Sequence, residues 1–376
     1  MKNSAIILFL IANFLSADDI KVNVLGKHLL REFEIKIEEN ARVFSDEKDR
    51  TLEKGIYKVK IEKEELVFFN DEIFLQSRQI LFRSNNQFDI IFSDNKNNLK
   101  RTYKGELELH YEKENILLIL KIPLEEYVIS ATYSELGILL TDKFTTNDAK
   151  RELITTQEIV IRTYVLNEKN RHTDTKFHFC DLTHCMSFKN HVNKFPSKPK
   201  MIIKGDSPIS GYFHSTCGGI LTGPEVFWQK HSLSNHYKRG NDGLIPNCKE
   251  SPQFSWETIL TNAELEKILN EKQIISITAI EQDGRIKSLK YTNEINSNNE
   301  ISISSFLSRT GKLLGWNKIR SNFFAITKLQ NGFHFKGLGF GHGIGLCQWG
   351  AKYLADNGKS HEEILQFYFP DTILGE

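Results

Sequence analysis

The sequence predicts an α+β fold, strand-rich in its N-terminal part, with helices inserted later. Three observations predict it. From Asp19 to Ile122 short apolar runs alternate with polar turns. From Pro123 the apolar spacing changes to a helical one. From about residue 200 to 340 strands and loops mix, before a last short helix.

The first segment is not part of that fold. Lys2 precedes an apolar run from Ala5 to Leu15, which ends in Ser16-Ala17 before Asp18-Asp19. A positive start, an apolar stretch of about a dozen residues and a small residue at the cut make an export signal over 1–17. The run falls short of the ~20 residues that span a bilayer. No later stretch reads as a transmembrane helix, so the expectation is a periplasmic or extracellular protein with no stable membrane span. Lys plus Arg is 49 and Asp plus Glu is 48, a net charge of +1. That balance argues against a strongly basic nucleic-acid binder.

The strand pattern then runs through Ile56–Ile61, Phe88–Ser93, Glu106–Tyr111 and Ile116–Leu120. Glu106-Leu-Glu-Leu-His-Tyr111 has period two, as a half-buried strand has. Leu124, Tyr127, Val128 and Ala131 fall at i, i+3, i+4 and i+7, and Gly137 reads as the stop of that helix. A second helix covers roughly Asp148 to Glu168. Ser360-His-Glu-Glu363 is a capping box that opens a helix ending before Pro370. The division expected is a signal over 1–17, a strand-rich extension over 18–99 and a main domain over 100–376.

Four segments carry chemistry. Glu135 follows Ala131 by four and Val128 by seven, near the apolar face of its helix. A carboxyl partly withdrawn from water suits a general acid, and an edge carboxylate paired with a cation is the plainer alternative. Cys180-Asp-Leu-Thr-His-Cys185 puts two thiols and His184 within six residues, with His172 and His178 upstream. Thiolate and imidazole are zinc ligands, with Asp174 or Asp181 available to orient them. In an exported protein a Cys180–Cys185 disulfide is the alternative.

Tyr212-Phe-His-Ser-Thr-Cys-Gly-Gly219 holds His214, Ser215 and Cys217, and Cys217 with Cys248 is the pair favoured as a disulfide. An odd cysteine count leaves at least one thiol free or metal-bound. No G-x-S-x-G surrounds Ser215, which disfavours an elbow nucleophile. Gly337 to Ala351 alternates glycines around His342, then Gln348 and Trp349. No phosphate loop or dinucleotide fingerprint is completed there. The stretch reads as one wall of a site, against a tight crossing in the core. H-E-x-x-H is absent, which disfavours a standard zinc peptidase.

In this order the segments resemble the stage II sporulation protein D and amidase-enhancer family (SpoIID/LytB). The matching stretches are Leu124-Glu-Glu-Tyr127 with Ser134-Glu135, Ile161-Arg-Thr-Tyr-Val165, Cys180 to Cys185, Phe213 to Gly219, Gly341 to Ala351 and Phe367-Tyr-Phe-Pro370. The resemblance covers roughly residues 100 to 372 and implies action on peptidoglycan. Its members are lytic transglycosylases on peptide-free glycan strands, or enhancers of a cell-wall N-acetylmuramoyl-L-alanine amidase.

The position matching the catalytic residue is Glu135. It would protonate the glycosidic oxygen, then take the proton of the C6 hydroxyl as that group closes onto C1. The product has a 1,6-anhydro end. The resemblance also implies a structural zinc on His172, Cys180, His184 and Cys185, with His172 chosen over His178. Arg162, Tyr164, His214, Ser215, His342 and Gln348 would line the groove. A Cys217–Cys248 disulfide is a variant within the family.

The sequence departs from the family pattern around Glu135. Tyr133 stands where a small residue or Pro is usual, and Thr145-Thr-Asn147 where Trp or Pro is common. Gln157-Glu-Ile-Val-Ile161 replaces a run of alanines. Two competing readings follow: a non-catalytic amidase partner, and a secreted zinc hydrolase with an open metal position.

Overall fold

The structure is a computed structural model. It describes residues 19–376 apart from 46–47, 95–96, 170, 173, 183–184, 195–196, 229–244 and 296–298, and apart from the side chains at 94 and 97. The expected export signal lies outside the described residues. Among those described, no helix is long and apolar enough to cross a membrane.

The chain forms two compact units. One comprises residues up to 137 with 168–199, the other 138–167 with 200–375. In the first unit, strands β1 (Asp19–Val24), β2 (Glu32–Ile37), β3 (Ala41–Ser45), β4 (Lys48–Leu52), β5 (Gly55–Glu62), β6 (Glu65–Phe69), β7 (Phe74–Ser77), β8 (Gln79–Asp94), β9 (Asn97–Glu112), β10 (Asn115–Pro123) and β11 (Phe179–Cys180) build one sheet. Its order is β11-β1-β10-β9-β8-β2-β5-β6-β7, with β3 on β8 and β4 on β3.

The period-two pattern has its expected cause. In β1, Ile20, Val22 and Val24 are buried and the residues between them are not. Lys63-Glu64 and Lys113-Glu114 have positive φ at both positions, the geometry of two-residue hairpin turns. The boundary suggested at residue 99 falls inside β9, a 16-residue strand paired along its length with β8. The strand-rich extension and the start of the later segment therefore share one sheet.

Helix α1 (Leu124–Leu140) follows β10 without a loop. Gly137 does not end it: the helix continues to Leu140, and Gly137 is exposed with open space about it. A glycine at such a site costs about 1 kcal/mol against alanine, too little to stop a helix held elsewhere. The hold is Tyr127, stacked on Phe179 of β11 at 6.0 Å and on Phe188 at 5.2 Å.

Helix α2 (Asn147–Asn167) runs through the second unit with Thr156 to Val165 buried. Thr163 Oγ1 accepts from Ile202 N at 3.0 Å, tying the helix to the strand Met201–Lys204. Three-stranded sheets Ser255–Thr261/Gly332–Leu338/Phe324–Leu329 and Ile274–Gln282/Arg285–Asn293/Asn299–Ser302 share a core that includes Leu260, Ile286, Leu289, Phe306 and Phe335. The Ser360 capping box is present and opens the helix His361–Tyr368, which ends before Pro370. Glu152 on α2 accepts from both the backbone N and Nδ1 of His361, each at 2.7 Å.

Two histidines of the first unit set an acid limit on stability. Burial pushes His110 below its ordinary value, against the pull of Glu108 and Glu112 and with Lys176 adding to the shift. Burial does the same to His191, with Glu126 opposing and Lys104 assisting. The unfolded chain then binds more protons than the folded one just below the ordinary value, about 6.5. Stability is full above that pH and falls as pH drops toward the folded values. Melting temperature is expected to fall between about pH 7.5 and 5.5, before carboxylates protonate. The His110→Asn, His191→Asn double variant should show a smaller fall; an equal fall would assign the effect elsewhere.

Candidate functional site

Glu135 sits in the last turns of α1, half-buried. Its Oε1 accepts from the backbone N–H of Ser187. Two more side chains of the same helix hold the same segment. Ser134 Oγ accepts from Lys189 N at 3.1 Å and Ser130 Oγ from Val192 N at 3.0 Å. Residues 187–192 thus run along α1, whose side chains meet three of their N–H groups, while His191 N–H donates to Thr102 O of β9 at 2.8 Å. The Lys194 ammonium lies 5.8 Å from the centre of the Tyr133 ring, a use for the aromatic at that departure from the family pattern.

Just before this segment lies the cysteine cluster. One nitrogen of His172 and the sulfurs of Cys180 and Cys185 all lie within 4.8 Å of one another, with His172 Nε2 3.2 Å from Cys185 Sγ. Cys180 is fixed by β11, which pairs in parallel with β1 through Asn23↔Cys180. Hydrogen bonding to Cys185 and then burial push the Cys180 thiol far up, so two such sulfurs ionise together only beside a cation. The donor set of imidazole and two sulfurs suits a zinc-class ion. His184 lies outside the described residues.

His178 is turned elsewhere. Its Nδ1 accepts from Lys21 N at 3.1 Å, and its own N–H donates to Lys21 O at 2.9 Å. Asp181 does not serve the cluster as the sequence suggested. Its carboxylate takes the N–H groups of Leu25 at 2.7 Å and Gly26 at 3.2 Å, capping the end of β1. Asp174 is exposed.

The remaining predicted residues belong to the second unit, and most are interior. Arg162 is fully buried and donates to Lys200 O at 3.1 Å. Tyr164 is buried edge-on against Tyr212 at 5.8 Å. Gln348 is buried, its amide 3.4 Å from Gln157 Oε1. His214 is buried, with Nδ1 3.1 Å from Ile344 O. These four side chains lie in the interior of the unit. Ser215 and His342 keep partial exposure. His342 stands among Trp228 at 5.2 Å, His214 at 5.4 Å, Phe227 at 5.8 Å and Tyr212 at 6.2 Å.

The alternating glycines make a close crossing, the alternative to a site wall. A Cβ on Gly341 (φ 114°) would lie 2.7 Å from His214 Cβ, and one on Gly343 (φ 75°) 2.2 Å from the Arg285 guanidinium carbon. The sulfurs of Cys217 and Cys248, the pair expected as a disulfide, are 3.4 Å apart, against ~2.05 Å for a bond. Arg285 escaped sequence reading altogether. It follows an Asp283-Gly284 hairpin turn, a signal that marks a strand end but not a buried cation.

Residues 112–205, which contain α1, Glu135 and the cysteine cluster, match the family model described as SpoIID, stage II sporulation protein. Stage II sporulation protein D of Bacillus subtilis is 24% identical over 284 residues, 68% of this chain and 75% of that protein. An uncharacterized protein of Brachyspira hyodysenteriae is 24% identical over 283 residues, 71% of this chain and 70% of its own. The amidase enhancer of Bacillus subtilis is 35% identical over 83 residues, 22% of this chain and 12% of that protein. The match to the SpoIID family model covers residues 112–205, the segment that holds Glu135 and the cysteine cluster.

Proposed function

We propose that the protein is an exported cell-wall remodelling enzyme, a lytic transglycosylase that cleaves peptide-free peptidoglycan glycan strands to 1,6-anhydro products. The observation that supports it is the placement of Glu135: a half-buried carboxylate on a helix, inside the matched segment, with one oxygen held by a backbone N–H. A carboxyl so held has a defined direction, which acid–base transfer to a single glycosidic oxygen requires. Glu135 protonates that oxygen, and its carboxylate then receives the C6 hydroxyl proton as the ring closes. Water is not consumed, so no second carboxylate is needed to activate it.

His172, Cys180, Cys185 and His184 are proposed to hold a structural zinc. Four protein ligands close a zinc site, so the ion cross-links the loop before residues 187–192 and does not activate water. Cys180→Ser is expected to remove about one zinc per chain and to lower the melting temperature, read by elemental analysis and calorimetry. Unchanged metal content would reject this assignment.

A second reading rests on the match to the amidase enhancer: a non-catalytic partner that stimulates a cell-wall amidase. Mass spectrometry of digests of denuded and intact peptidoglycan separates the two. Anhydro-ended fragments from denuded strands support the transglycosylase. Reducing ends would indicate a hydrolase instead. No fragments from protein shown to be folded, with faster stem-peptide release when a purified amidase is added, would establish the partner reading.

A further inference from the structure

We propose that His214, Cys217, Cys248 and Cys347 form a separate site for a thiophilic divalent cation of the zinc class, inside the second unit. The fold brings the four together from three distant stretches. Strand Phe213–His214 pairs in parallel with Leu346–Cys347, with His214 opposite Cys347. One nitrogen of His214 and the sulfurs of Cys217 and Cys347 lie within 4.8 Å of one another. Cys248 Sγ is 3.4 Å from Cys217 Sγ, close to the edge of a tetrahedron of sulfurs about a zinc ion.

The histidine points to a ligand. Ile344 O can only accept, so Nδ1 of His214 carries the proton and donates to it. Nε2 is then a bare acceptor. It is buried and has no hydrogen-bond partner among the described residues. A buried imidazole nitrogen left so costs free energy unless something meets its lone pair. An imidazole whose Nδ1–H is spent on a backbone carbonyl keeps Nε2 for a ligand, the usual arrangement of a metal-ligating histidine.

Charge gives a second, independent argument. The Arg285 guanidinium is buried beside these thiols and donates to Ile220 O at 2.9 Å, Asn322 Oδ1 at 2.6 Å and Cys217 O. Those acceptors are all neutral, so a buried cation stands without a carboxylate among them. A divalent cation with three thiolates and a neutral imidazole carries one net negative charge, which the guanidinium cancels. Binding would release the thiol protons to solvent. All four side chains are buried, which makes the site closed and structural rather than open to substrate.

The test is metal content of the full chain purified from the export compartment, wild type against Cys347→Ser and Cys180→Ser. The expected result is about two zinc ions per chain in the wild type and about one in each variant. Cobalt added to Cys180→Ser should give tetrahedral ligand-field bands with thiolate charge-transfer absorption, a readout that survives if Cys347→Ser fails to fold. Loss of all metal in Cys180→Ser would overturn the proposal and leave the His172 cluster standing. Loss of all metal in Cys347→Ser would do the reverse. A mass lower by two hydrogens, with Cys217 and Cys248 peptides linked, would also overturn it.

Discussion

Glu135→Gln is expected to lower release of anhydro-ended fragments by ~10²–10⁴-fold, the range a general acid–base residue contributes. The melting temperature should hardly move. Gln keeps a carbonyl oxygen where Oε1 now accepts from Ser187 N–H, so the bond to residues 187–192 can persist. Ser134 and Ser130 hold Lys189 and Val192 whatever stands at 135. The substitution removes the proton-carrying group and little else. A loss of activity with an intact melt assigns Glu135 to the chemistry. Full activity in the variant would remove Glu135 from the mechanism, and the acid would have to be sought elsewhere in the chain.

The second large effect falls on stability. Gly343→Ala is expected to cost about 3 kcal/mol or more, from two sources. A left-handed backbone costs a side-chain-bearing residue roughly 1–2 kcal/mol, and overpacking a rigid neighbour about 1–3 kcal/mol. At Gly343 the φ is 75° and the added carbon would meet the Arg285 guanidinium, which three hydrogen bonds hold in place. Gly358→Ala separates the two terms. Its φ is 80° but nothing lies within 4 Å of its added carbon, so only the backbone cost of roughly 1–2 kcal/mol applies. Denaturant melts of both variants read the difference. Equal losses would show that Arg285 gives way and that the crossing is not tight.

What could be read along the chain was what depends on near neighbours. The strands from Asp19 to Ile122 show in their period-two pattern because each buries one face. The span of α2 and the Ser360 box follow from helical spacing and a cap that needs only four consecutive residues. The order of Glu135 and the cysteine–histidine segment pointed to the family because that segment is nearly continuous.

Gly137 shows the limit of such reading. As a local signal it ends a helix, yet stacking of Tyr127 on Phe179 and Phe188, far along the chain, holds a helix that runs past it. The choice between His172 and His178 was likewise not in their spacing. Pairing of β1 with β11 brings the Lys21 amide to His178 and leaves His172 beside Cys185. The glycines and histidines of the second unit carried the same ambiguity. The alternating glycines read as one wall of a site; the parallel pairing of 213–214 with 346–347 packs His214 against Gly341 and brings the thiols of Cys217 and Cys347 to it. By itself, then, the sequence determined the strands, the principal helices and the acidic residue to test. Tertiary structure decided which polar side chains are buried and what they face, because those contacts join residues from tens to well over a hundred positions apart, whose meeting no local pattern encodes.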